Sequence, residues 1–219
     1  MDTIETEEMR ASEDRAEEMG VSKLILMENA GASLASEMHR KFPNLDGKNV
    51  VILVGGGNNG GDGMVCARHL VYFNARVSVF LLRKSQSLKT SESITNWQIL
   101  SKMGDIQIHE YYEDESMQAI TESLEKAYVI VDAIIGTGVK GKIREPDTSI
   151  IDRINSSSAF KMSVDIPSGL DPSSGEVHDK AVQADLTITF HKAKVGLIGN
   201  EVFTGQVIVS PIGMPLKSK

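Results

Sequence analysis

The sequence predicts an α/β fold: a doubly wound, mostly parallel sheet in three layers, with helices at the N-terminal end. Three observations predict it. Val50–Val54, VVILV, is an unbroken aliphatic and β-branched run, the pattern of a strand buried on both faces. It passes directly into GGGNNGGDG, residues 55–63, and then into an amphipathic run, so strand, glycine-rich turn and helix follow one another. Strand-like and helix-like runs alternate through most of the remaining chain, which implies right-handed βαβ units.

Taken in order, residues 3–19 are charged and helix-favouring, with Ile4, Met9, Ala16 and Met19 too sparse for a strong apolar stripe, so this helix is expected to pack on a neighbour or a partner. Residues 22–42 form a better-marked helix through Leu24, Ile25, Met27, Leu34, Ala35 and Met38, ended by Pro43 and Asn44. Within it MENAG places Asn29 and Gly31, poor helix formers, either at a close approach to a ligand or at a helix-packing contact. After the first strand and its helix, strands are predicted at residues 76–82, 106–109, 128–135, 162–166, 186–190 and 207–211. Helices are predicted at 91–103, 117–127 and 149–155. The last strands lack intervening helices and are expected to pair antiparallel at one edge. In such a sheet ligands bind beyond the carboxyl ends of the strands where strand order reverses, here between the first and fourth strands.

The 219 residues fit one domain, 1–219, with a substantial core. No apolar run approaches the roughly 18 residues a membrane span needs, and a formal net charge of −7 disfavours a nucleic-acid surface. The single cysteine, Cys66, excludes an internal disulfide and a multi-cysteine zinc site and suits a reducing compartment. The acidic N-terminus has neither a signal core nor a transit pattern, so the cytoplasm is expected.

The candidate chemistry sits in three strand-end loops. The first glycine loop can close backbone N–H groups around an anion while the following helix points its positive end at the same place. In it Asn58 and Asn59 suit a ribose, a carboxamide or a weakly held cation, and Asp62 is either a helix N-cap or a ligand contact. The second loop, IIGTGVKGKIREP, carries Gly136, Gly138 and Gly141 with Lys140, Lys142 and Arg144. Two such loops side by side would enclose a dinucleotide. Asp132 ends the fourth strand in apolar sequence, where an unpaired carboxylate is costly, so it needs a partner. In the third loop, VDIPSGLDPSSG, Asp165 ends a strand and Pro167 with Gly169 turns Ser168 inward. Asp132, Asp165, Ser168 and the Asn58 and Asn59 amides then converge as oxygen ligands, suited to an alkali or alkaline-earth ion and not to zinc.

Other readings fare poorly. The five histidines show no ligand spacing, and there is no Gly-x-Ser-x-Gly elbow. Asp62 and Gly63 stand where a P-loop needs lysine and a hydroxyl residue. The second strand ends in Arg83 and Lys84 where a dehydrogenase would place an acid for the ribose.

MENAG, GNNGGDG, DAIIGTG, VDIPSGLD and ADLTITFHKAKVGL, in this order over nearly the whole chain, resemble the NAD(P)H-hydrate epimerases, the YjeF N-terminal domain family. The resemblance implies a Rossmann-like fold and interconversion of the R and S forms of hydrated NADH and NADPH (NADHX and NADPHX) at C6 of the damaged ring. It also implies a potassium ion and a homodimer. Carried across by motif, Asn58, Asn59, Gly60, Gly61 and Asp62 contact the substrate, as do Gly136, Thr137, Gly138, Val139, Lys140, Gly141, Lys142 and Asp165. Asn59, Asp132 and Ser168 ligate potassium, and Asp165 is the candidate catalytic acid or base. The family usually has proline where this chain has Gly56. No kinase-like dehydratase domain follows in these residues, so dehydration of the substrate falls to a separate protein. The competing readings are a non-catalytic nucleotide-binding or scaffold module of the same fold, opposed by the intact carboxylates and amides, and an ordinary NAD(P) oxidoreductase, opposed by the missing ribose acid.

Overall fold

The computed structural model describes residues 2–111, 114–138 and 141–215. Its elements run β1 (Thr3–Ile4), α1 (Thr6–Glu18), α2 (Lys23–Lys41), β2 (Asn49–Val54), α3 (Asn58–Leu70), β3 (Arg76–Leu81), α4 (Ser91–Leu100), β4 (Ile106–Glu110), α5 (Asp114–Glu125) and β5 (Val129–Ala133). They continue through α6 (Asp147–Ser156), β6 (Phe160–Val164), β7 (Leu186–Phe190), β8 (Ala193–Lys194), α7 (Glu201–Thr204) and β9 (Gln206–Ser210).

Seven strands form one sheet in the order β4-β3-β2-β5-β6-β7-β9. Strand order reverses between β2 and β5, the first and fourth strands of the sheet, as the alternation of elements predicts. The β2 side chains divide between the two faces by strand periodicity. Val50, Ile52 and Val54 pack with Leu26, Leu34 and Met38 of α2, Met64, Cys66 and Leu70 of α3, and Trp97 and Leu100 of α4. Val51 and Leu53 pack on the other side with Ile120 and Leu124 of α5 and Ile150, Ile151 and Ile154 of α6. A strand apolar on both faces therefore sits between two helical layers.

Two expectations change. The final strands are parallel, not antiparallel: β6, β7 and β9 continue the direction of the rest of the sheet. A parallel crossover needs chain length more than a helix. Residues 165–185 supply it as an irregular path braced by a bridge between Leu170 and Val177, with Ile166, Leu170 and Ala181 packed beneath. The first helix starts at Thr6, because Thr3–Ile4 instead pairs in parallel with Ala193–Lys194. Of the two roles for Gly31, packing is the observed one: a Cβ there would lie 2.3 Å from Val65 Cβ of α3. Asn29 donates to the Ile212 carbonyl at 2.8 Å. Among the described residues no helix is long and apolar enough to cross a membrane.

Candidate functional site

A cavity of about 1040 Å³ opens beyond the carboxyl ends of β2, β5 and β6, at the upper end of the size usual for small-molecule sites. Its walls include Gly56, Gly57, Asn58, Asn59 and Asp62 on one side and Ile134 through Gly138 with Gly141 and Lys142 on another. The two glycine loops thus face one space.

The first loop is shorter than the sequence suggests. Only residues 55–57 are loop, Gly57 is the N-cap, and NNGGDG already forms the opening turns of α3. Asp62 is therefore not the N-cap. The glycines serve close approach, since none from Gly55 to Gly63 has a positive φ. A Cβ on Gly55 would lie 1.9 Å from the Ile134 carbonyl oxygen, and one on Gly60 would lie 2.1 Å from that of Gly55. Strand, loop and helix are locked at backbone contact, which brings the α3 N-terminus to the cavity. Gly56 is different: a Cβ there would meet Ser87 O at 3.4 Å, so the position does not demand glycine as Gly55 does.

Asp132 and Ser168 meet beneath the second loop. Asp132 pairs across the sheet with Leu53 and Ser163 and is buried, as is Ser168. One Asp132 oxygen accepts from Ser163 Oγ and Ser168 N, each at 2.8 Å, and the other from Ser168 Oγ and from Ile134 N at 3.3 Å. Ser168 Oγ in turn accepts from Ile135 N at 2.8 Å. Burial raises the Asp132 carboxyl above its ordinary value, and the Ser168, Ser163 and Ile134 donors oppose the rise. Asn59 packs against Gly136 in the same loop, and its buried Nδ2 has no hydrogen-bond partner among the described residues. An amide flip would place an oxygen there. A carboxylate, a hydroxyl and an amide make an oxygen donor set that fits a hard monovalent cation. No group of three or more histidine, cysteine, aspartate or glutamate side chains gathers as a metal centre among the described residues.

Asp165 lines the same cavity. It leaves β6 in the left-handed region, at φ 64°, a conformation aspartate tolerates better than most residues. Its side chain is held by three donors on one oxygen. Oδ1 accepts from Thr189 Oγ1 at 3.0 Å, from Phe190 N at 3.3 Å, and from the Lys194 ammonium. Lys194 is 1% exposed and completes its three bonds at Thr189 Oγ1 and the Phe190 carbonyl, both at 3.2 Å. With every ammonium proton committed, Lys194 acts as a fixed charge. The donors crowd Oδ1 and leave Oδ2 as the oxygen for a ligand.

Asp62 shares this corner. Burial first, then the negative charges of Asp165 and Glu13, push its carboxyl well above the ordinary range against the pull of Lys194. A carboxyl raised in the folded state binds more protons there than in the unfolded chain, so between the ordinary aspartate pKa and the raised one stability falls as pH rises. Asp62→Asn is expected to melt progressively higher than wild type as pH climbs from about 4 toward neutrality. A constant Tm difference across that window would contradict the assignment.

Several participants escape sequence reading. Lys194 and Glu13 carry no motif signal beyond a lysine inside the apolar stretch ADLTITFHKAKVGL. Arg83, just beyond β3, forms a double ion pair with the buried Asp147, at 2.7 and 3.0 Å, at the cavity wall. Val139 and Lys140 lie outside the described residues. Lys142 and Thr137 line the cavity, as no histidine does.

The family profile described as YjeF-related protein N-terminus matches residues 23–196. The chain belongs to this family. The match takes in both glycine loops, Asp132, Asp165, Ser168 and Lys194 of the YjeF-type cleft, and leaves α1 outside. Among curated relatives, the NAD(P)H-hydrate epimerase of Nitrosopumilus maritimus is 43% identical over 97% of this chain and 95% of its own length. The bifunctional NAD(P)H-hydrate repair enzyme Nnr of Methanothermobacter thermautotrophicus is 45% identical over 95% of this chain, which spans only 40% of that longer protein. The crystal structure of the yeast protein ynu0 superposes with a TM-score of 0.82, covering 96% of this chain and 88% of that one at 26% identity.

Proposed function

We propose that this YjeF-type cleft is an isomerase site that epimerises NADHX and NADPHX, interconverting the R and S forms of the hydrate at C6 of the nicotinamide ring. The observation that carries the reading is Asp165. One oxygen is pinned by Lys194, Thr189 and the Phe190 amide, and the other remains for substrate in a cavity bounded by two glycine loops. Near full-length similarity to a protein named as an epimerase supports it.

In this reading the α3 N-terminus and the loop of Gly136, Thr137, Gly138, Gly141 and Lys142 hold the nucleotide, the helix end favouring its phosphates. Lys142 adds positive charge. Exchange of the C6 hydroxyl from one face to the other requires a proton to be given and another taken, and this reading makes Asp165 Oδ2 an acid–base group for that exchange. Asn59, Asp132 and Ser168 would hold a potassium ion, which would organise the two loops and screen phosphate charge. The reading also takes residues 1–219 as one domain acting in the cytoplasm as a homodimer, beside a separate NAD(P)H-hydrate dehydratase.

The test supplies mixed R and S hydrates with a dehydratase specific for the S form. Added protein is expected to speed consumption of the R form beyond its spontaneous epimerisation, more so in potassium than in lithium, and Asp132→Asn is expected to lose the difference between the two salts. Folded protein that leaves the R form decaying at its spontaneous rate in potassium would sink the proposal.

A further inference from the structure

We propose that the N-terminal helix α1 is a working wall of this cleft and that Glu13 is a second catalytic acid–base group acting with Asp165, an inference that rests on the epimerase reading. The family match begins at residue 23, yet Thr6, Met9, Arg10 and Glu13 of α1 line the cavity. The helix is docked, not loose. Its leading strand β1 pairs with Ala193–Lys194, Met9 and Ala16 are buried in the main core, and Lys23 bridges back to Asp14 at 2.7 Å and to Glu17 at 3.7 Å.

Glu13 is half-buried and makes no hydrogen bond or ion pair among the described residues. Asp165, Lys194, Asp62 of α3, Lys23 of α2 and Arg10, one turn earlier on α1, line the same cavity, and the charges of Asp165, Lys194, Lys23 and Asp14 act on Glu13 as its own acts on Asp62. Burial raises its carboxyl, the Asp165 charge adds to the rise, and Lys194 and Lys23 oppose it. The corner therefore places a carboxyl disposed to keep its proton beside a carboxylate held by an ammonium.

That difference is what epimerisation at a single carbon needs. The Glu13 proton passes to the C6 hydroxyl, the C–O bond breaks with its electron pair leaving in water, and the ring-nitrogen lone pair forms the N1–C6 double bond. Water then adds to the other face of C6 as that electron pair returns to nitrogen, and its proton passes to the Asp165 carboxylate. The reverse direction exchanges the two roles, and cleft water returns the proton between turnovers. The atoms and charges balance with no other reactant.

The experiment measures kcat and KM of wild type, E13Q and E13D across pH in the dehydratase-coupled assay, with melting curves for each. E13Q is expected to lose about 10²-fold in kcat with KM within about twofold, because the missing group acts on the transition state more than on binding. Wild type is expected to lose kcat at high pH, this decline should vanish in E13Q, and E13D should recover part of the rate. A merely structural role would lower Tm and leave the pH profile unchanged. E13Q with near wild-type kcat overturns the inference, as does a reduced kcat with the alkaline decline intact, which would assign the acid to Asp62. A wild type that does not accelerate R consumption overturns the epimerase reading and this inference with it, an outcome distinct from an active wild type beside an unimpaired E13Q.

Discussion

Asp165→Asn is expected to lower kcat for R-to-S conversion by about 10³-fold, within the range by which a positioned acid or base accelerates a step, while KM changes little. Asparagine keeps the shape of the side chain and an oxygen for the Thr189, Phe190 and Lys194 donors. It cannot take a proton from water. The substitution also removes the negative partner of a buried ammonium, so some loss of stability accompanies the loss of rate. Stopped assays at a temperature well below the mutant's melting point separate the two effects. Undiminished turnover in folded Asp165→Asn would remove Asp165 from the chemistry.

Lys194→Met is expected to destabilise the protein by about 3–5 kcal/mol, the usual result of breaking a buried ion pair from one side. For a domain of this size that corresponds to a fall in Tm of roughly 10 °C. Methionine replaces the length of the lysine, so the cost comes from Asp165, whose side chain is 13% exposed and would be left with two weaker donors. The Phe190 carbonyl and Thr189 Oγ1 also lose a donor. Differential scanning calorimetry measures the change, and a Tm within 2–3 °C of wild type, about 1 kcal/mol, would mean that the Lys194–Asp165 pair contributes little. Combining Lys194→Met with Asp165→Leu should recover part of the loss, since removing both partners leaves no uncompensated charge.

The sheet was legible where burial and periodicity agree. Within β2, Val50–Val54 has no polar position to betray a solvent face, and that run is indeed buried throughout. Its strand-end loops followed from topology, because the reversal between β2 and β5 is a property of the alternation itself. The direction of β7 and β9 was not legible, because an irregular crossover leaves no periodic trace. The helical start at Asn58 was masked by four glycines within residues 57–63, which read as turn unless their packing against Gly55, Met27 and Ala133 is known. Lys194 and Glu13 were missed for a related reason. Their meaning lies in contacts between the two ends of the chain, and neither spacing nor composition records such contacts.

The pairing of Thr3–Ile4 with Ala193–Lys194 also sets a timetable. During synthesis Thr3 and Ile4 leave the ribosome long before Ala193 and Lys194, so the cleft wall cannot be completed until those later residues have emerged. Sheet strands β2 to β5 can assemble earlier from contacts much nearer in sequence, and an immature chain would carry a formed glycine loop beside a cavity open on one side. A bulky fusion placed just ahead of Asp2, which itself pairs with Lys192 at 2.9 Å, would press on that last closure. For biochemical preparations, affinity handles belong elsewhere on the chain.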